Sequence, residues 1–310
     1  MEDIIGLLAR RKESETLPES AFTTIEPKEG TILFVDGGNA ELVKAPDFSL
    51  NFIRTAGIIF KGKNKIKMQI CEFYALFYAE RKGEKIIVNS KIVPIKGFCP
   101  NEKELSFALM PGEISSFADI ARRIAEINLA CAMANNIESG SIIALDGNLE
   151  AKTEIERAAI EKLRRIAMEK NLGLCAISKT TSMVGYNGES VSFIVAKSAP
   201  NERCFVQLAE SEPIKTFFLK LHPKSDYIFR CDLFPETGSW IFGQLAFVSN
   251  DAVFIGYPYG FVEADMAARI SNREKEILRT ELMAKAGKKW LEIEQMEKSL
   301  NAHGILDSIF

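Results

Sequence analysis

The sequence predicts one mixed-sheet α/β domain with helical ends. Three observations carry this: β-rich segments crowd the stretch from 31 to 95, helix and strand patterns alternate from 117 onward, and both termini show helical periodicity. The 310 residues are 47% apolar and 26% charged, enough for a real core and unlike a disordered, collagenous or coiled-coil chain.

Residues 1–12 read as an amphipathic helix, with Ile4, Ile5, Leu7 and Leu8 opposite the charges. A polar segment leads to the apolar run TILFV, which stops at Asp36-Gly37-Gly38-Asn39, where a turn is expected before ELVKA returns as a strand. Further strands over 50–60, 66–78 and 85–95 extend a meander. From Phe117 to about Glu138, Ile120, Ile124, Ile127, Cys131 and Ala134 step by four and three, a helix with a core-facing stripe. SIIALDGN is a buried-strand run ending at Asp146-Gly147. A charged helix over 151–171 precedes a strand at 172–178, and more strands are expected near 191–197, 203–208, 215–221 and 226–231. A helical pattern from Ser239, the stretch AVFIGYP and one long helix from about Tyr259 into the 290s complete the chain.

Composition narrows the function. No uncharged stretch reaches the roughly 18 apolar residues of a membrane helix, and the start, MEDIIGLLARRKESE, lacks the long apolar core of a signal peptide. Six cysteines stand singly, several in apolar runs, as expected of reduced thiols in a cytoplasmic protein. With only His222 and His303 to supplement them, and neither at ligand spacing, a zinc site is not expected. A net charge of −3 argues against coating nucleic acid by bulk charge but leaves room for a local basic groove.

The carboxylates are more informative. ILFVDGGNAEL and IIALDGNLEA each bring a buried-looking strand to Asp-Gly-(Gly)-Asn, which places an aspartate at the rim of a sheet where ligands of α/β folds bind. Such aspartates also serve ordinary turns. Glu126 lies beside the apolar stripe of its helix, a costly place unless it is paired with Arg122 or bound to metal. Together Asp36, Glu126 and Asp146 offer a hard, oxygen-only site suited to Mg²⁺ or Mn²⁺ and to phosphoryl chemistry.

The order VDGGNAEL, ARRIAEINLACA, IIALDGNLE, AISKTTS and GYPYGFVEAD resembles the prokaryotic NurA nuclease family, from about 31 to 272. The resemblance implies an RNase H-like mixed sheet flanked by helices, and a metal-dependent DNA nuclease with 5′–3′ exonuclease and single-strand endonuclease activity. It also implies a homodimer that works in end resection with a HerA-like hexameric helicase. It assigns metal ligands at Asp36, Glu126 and Asp146, around Mn²⁺ or Mg²⁺ and two ions, with Tyr257 orienting phosphate and Lys179 near it. On this reading 1–30 is an N-terminal helix and linker, 31–272 the nuclease domain and 273–310 a helical extension. One position departs. Where the family has histidine eight residues beyond the tyrosine, this chain has Asp265, which either supplies an oxygen ligand or is held only by Arg269.

Between Arg54 and Lys67, five cations and no acid, among them Lys61, Lys63 and Lys65, form a hairpin that could track a DNA backbone or simply be solvated. The N-terminal helix and the Trp290–Leu291 region are candidates for partner contacts or for packing within the chain. Two other readings stand beside the nuclease: a catalytically degenerate homologue acting as an adaptor of a HerA-like ATPase, and an RNase H-like phosphotransferase, for which no nucleotide motif is found.

Overall fold

The computed structural model describes residues 16–97, 114–252 and 254–300. The helix expected over 1–12, Cys99 and His303 lie outside them. Strand β1 (Thr23–Thr24) is short, and β2 (Thr31–Ala45), β3 (Phe48–Lys61), β4 (Asn64–Lys82) and β5 (Lys85–Lys96) form an antiparallel meander. Then come α1 (Ser116–Met133), β6 (Ile142–Asp146), α2 (Glu154–Glu169), β7 (Gly173–Ser178) and α3 (Val191–Ser198). Strands β8 (Cys204–Ser211), β9 (Ile214–Lys220) and β10 (Phe229–Leu233) follow, then α4 (Ile241–Phe247), α5 (Tyr259–Ala268), α6 (Asn272–Ala286) and α7 (Trp290–Leu300).

The ten strands of the described residues join one sheet in the order β1-β8-β9-β10-β7-β6-β2-β3-β4-β5. The central trio β7, β6 and β2 is parallel, and the other neighbours are antiparallel. Alternation along β2 sorts the two faces. Ile32 and Phe34 enter a core with Tyr257, Phe261 and Ala264, whereas Leu33 and Val35 enter one with Ile127, Leu129, Ile160 and Leu163. Helices α4 and α5 therefore cover one face of the central strands, and α1 and α2 the other. Phe34 is fully buried against Phe261, and its loss to Ala would cost about 3–5 kcal/mol. Gly260 is what lets α5 lie that close, because a Cβ there would sit 2.0 Å from the Phe34 ring. Among the described residues no helix is long and apolar enough to cross a membrane.

Three expectations are corrected. The turn at Asp36-Gly37-Gly38-Asn39 does not exist: β2 passes straight through, paired with β3 without a break from Thr31↔Lys61 to Glu41↔Asn51. The glycines answer a need for space, not for a turn, and neither has a positive φ. Residues 191–197 are helical, because Val191, Ile194 and Val195 recur at three and four and are buried together; packing overrides the strand preference of β-branched residues. The long C-terminal helix is three helices. Ser271 caps α6 by accepting the Glu274 N–H at 3.1 Å, and Gly287, at φ 55°, ends it.

Candidate active site

Parallel pairing of β2 with β6 aligns Val35 with Leu145, so the next residue on each strand is Asp36 and Asp146. Their side chains have the parity of Phe34 and Ala144 and leave neighbouring strands, roughly 4.8 Å apart, toward the Tyr257 face. Strand β6 stops there because Gly147 takes φ 99°, while Asp36 stands in mid-strand, its Oδ1 accepting the Gly37 N–H at 2.7 Å. Lys179, just past β7, brings its Nζ within 3.5 Å of Asp146 Oδ2 and 3.9 Å of Asp265 Oδ1. That ammonium also lies 5.6 Å from the ring centroid of Tyr257. Tyr257 is packed by Phe229, Phe254 and Phe261, and its buried hydroxyl meets no hydrogen-bond partner among the described residues. Asp265 is bound at 2.5 Å to Arg269 one turn along α5. The structure thus brings together Asp36, Asp146, Lys179, Tyr257 and Asp265, five residues from four separate segments.

Glu126 arrives from α1, on the opposite face, and is 1% exposed. Arg122 takes its Oε1 and Arg123 its Oε2, the latter at 3.3 Å. A Cβ on Gly37 would lie 2.5 Å from Oε1, so the first glycine admits this carboxylate and the second, whose Cβ would lie 2.5 Å from the Ala268 carbonyl oxygen, admits the end of α5. Of the two sequence readings of Glu126, the arginine pair is present, and it is buried rather than superficial.

The electrostatics follow from this crowding. Burial, then Asp146, then Glu126 push the Asp36 carboxyl up to about 7, although the Gly37 N–H and Lys179 oppose them. Burial and then Asp146, Asp36 and Asp265 push the Tyr257 phenol above its ordinary range, so at neutral pH it is a hydrogen-bond donor. A buried Asp36 carboxyl pushed up by burial and by the aspartate on the next strand, with the Tyr257 hydroxyl beside them, fits a hard divalent cation. The fit is limited to Asp36 and Asp146: among the described residues no three His, Cys, Asp or Glu groups converge on one point, because Glu126 faces its arginines.

The hairpin lysines lie elsewhere. Lys61 pairs across the sheet with Thr31, five residues from Asp36 along β2, or roughly 17 Å. Lys61 contacts Glu138 at 3.5 Å, Lys65 contacts Glu263 at 2.7 Å, and Lys63 lines a hollow with Phe60 and Tyr259. Trp290 is buried with Leu42, Val43 and Phe52, while Leu291 is exposed. Arg123 and Ser178 were missed by sequence reasoning. Arg123 stands at i−3 from Glu126, the spacing of a helical ion pair, and that was the available signal; Ser178 had none.

With this geometry in place, the comparison with solved structures is decisive for the fold. The crystal structure of the NurA nuclease from Sulfolobus solfataricus superposes with a TM-score of 0.60 at 14% identity, covering 93% of this chain and 94% of that one. This chain has a NurA-like fold. The mixed sheet flanked by helices is as expected. Lesser similarities are to the catalytic domain of human endonuclease V (TM-score 0.44, 10% identity, 91% and 98% covered) and to endonuclease V from Streptomyces avermitilis (0.41, 11%, 81% and 86%). No protein-family model matches the chain, and no curated protein matches it in sequence.

Proposed function

We propose that this chain is a divalent-metal-dependent deoxyribonuclease, with Asp36 and Asp146 as its essential carboxylates. The observation that carries the reading is their placement side by side on adjacent parallel strands of a NurA-like sheet, with the Asp36 carboxyl pushed up to about 7 by burial and then by Asp146. These two residues would hold Mn²⁺ or Mg²⁺, which when bound supplies Lewis acidity to the phosphodiester and to an attacking water. Lys179 offers a positive charge to a phosphate oxygen, and the protonated Tyr257 hydroxyl offers a donor. Asp265 steadies Lys179 from the far side. Glu126 shapes the floor through Gly37 and adds negative potential at Asp36.

The finer reading rests on the sequence resemblance. It comprises 5′–3′ exonuclease and single-strand endonuclease activity in end resection, a homodimer, two metal ions and a HerA-like helicase partner. A second reading, the catalytically degenerate adaptor, is favoured by one observation: Lys179 already bridges Asp146 and Asp265, where the family has a histidine. Labelled single- and double-stranded DNA incubated with Mn²⁺, Mg²⁺ or EDTA separates the two. The nuclease reading expects metal-dependent cleavage that Asp36→Ala and Asp146→Ala each abolish, with the double variant no worse than either. A wild-type chain inert with both metals sinks it, and cleavage gained on Asp265→His would establish the adaptor.

A further inference from the structure

The loop that follows β6 is short and begins with a glycine at φ 99°, yet it must hold Asp146 still. Its backbone groups are nearly all engaged. Arg123 donates through Nη1 to the Asp146 carbonyl at 2.9 Å and through Nη2 to the Asn148 carbonyl. Gly147 donates to the Ile177 carbonyl at 2.9 Å and accepts from Ser178 Oγ at 2.7 Å. Leu149 donates at 3.2 Å to Asp232, a fully buried carboxylate on β10 that also receives Thr216 Oγ1 at 2.9 Å and Arg230 Nε at 2.8 Å. Arg230 reaches on to Glu150.

Among these anchors Arg123 is the one that spans the loop. Its guanidinium is a rigid fork, and two of its arms sit on the carbonyls that flank the Gly147–Asn148 turn while Nη1 also meets Glu126. We infer that Arg123 is a positioning residue, which grips the Asp146 and Asn148 carbonyls and so fixes the direction in which the Asp146 carboxylate faces Asp36. The inference rests on the reading of Asp146 as a nuclease carboxylate. Arg123 itself touches no substrate in this role. A lysine could keep the positive charge beside Glu126, but its single ammonium cannot span both carbonyls. The rival role, neutralising Glu126, asks only for that charge.

Arg123→Lys therefore discriminates. Two measurements are made on the full chain: amide hydrogen exchange of the segment 146–150, and steady-state cleavage of labelled DNA with Mn²⁺. The expected result is that Gly147 and Leu149 exchange at least about tenfold faster, and that kcat falls by about tenfold or more while KM for DNA stays within about threefold, as for a displaced reacting group. Ser178→Ala, which alters no charge and removes only the bond to Gly147, is expected to move both readouts the same way by a smaller factor. Asp146→Ala is expected to abolish cleavage with the loop still protected. Wild-type exchange and kcat in Arg123→Lys would overturn the inference in favour of simple charge neutralisation. If the wild-type chain cleaves no DNA, the nuclease reading falls separately, and exchange alone decides: faster exchange in Arg123→Lys upholds the grip on the loop, and unchanged exchange removes it.

Discussion

Asp36 is 4% exposed, with a second carboxylate on the adjacent strand, and its ionisation is costly for both reasons. Its carboxyl titrates at about 7 in the folded chain against 3.8 ordinarily. Below 3.8 both folded and unfolded chains hold the proton, and Asp36 costs nothing. Between 3.8 and about 7 the unfolded chain releases the proton first, so stability falls by about 1.4 kcal/mol per pH unit. The loss levels off above 7 at up to about 4 kcal/mol. Asp36→Asn should therefore melt above wild type at pH ~8 in EDTA, with the gap closing toward pH ~4, and should lose the stabilisation that Mn²⁺ gives the wild type. Equal melting curves at the higher pH would show that the site carries no such charge conflict. Asp36, Asp146, Tyr257, Lys179 and Asp265 could be picked from the sequence as candidates because each stands in a short motif, and the fold places them together. Their mutual effects could not be read from the sequence, since these depend on strand register and burial. Arg123 signalled only its pairing with Glu126 at i+3: its main partners are backbone carbonyls more than twenty residues away, which no side-chain pattern reveals.

At the level of elements, periodicity sufficed where it was long and pure. The β3–β5 meander and the α1 and α2 helices were readable because alternation or three-four spacing persisted over many residues. It failed at short or composite segments. Residues 191–198 are too few and too β-branched for a helix to be read from them, and the capping Ser271 is one polar residue in a charged stretch. Strand β2 was cut in two because Asp-Gly-Gly-Asn reads locally as a turn, although its glycines serve contacts made by α1 and α5 from opposite faces. Those contacts set a test. In Gly38→Ala the new Cβ would meet a backbone carbonyl, that of Ala268, at 2.5 Å, and the end of α5 would have to move. In Gly37→Ala the obstacle is the tip of a side chain, Glu126, which can swing aside at the expense of its arginine bonds. Urea denaturation should show Gly38→Ala destabilised by about 1–3 kcal/mol and Gly37→Ala by less. The reverse order would mean that Glu126, and not α5, is the more rigid neighbour of β2.

The whole molecule was legible at the level of fold, since the mixed sheet expected from the succession of motifs is the one found, in a chain that shares only 14% of its residues with the NurA nuclease from Sulfolobus solfataricus. What the order could not convey is which charges remain available to a polyanion. The sequence shows five cations without an acid between Arg54 and Lys67, but the fold brings acids from other segments to three of them. Arg54 is bound by Glu72 and Glu274, Lys61 by Glu138 and Lys65 by Glu263, while Lys63 alone of the three hairpin-tip lysines makes no ion pair with the described residues. Each phosphate contact contributes about 0.9 to the slope of log affinity against log salt. Three unpaired lysines on the DNA track would together contribute a slope of nearly 3. A lysine already paired must first abandon a carboxylate, which then faces the phosphate and repels it, so its net contribution is small. Replacing Lys61, Lys63 and Lys65 together by Ala should therefore lower the slope by only about 1, measured by fluorescence anisotropy of double-stranded DNA between ~50 and ~200 mM KCl in EDTA. Glu138→Gln with Glu263→Gln should steepen it, by freeing Lys61 and Lys65 for phosphate. A drop near 3 in the triple variant would restore the hairpin as the path of the DNA backbone, with its ion pairs opening whenever DNA arrives.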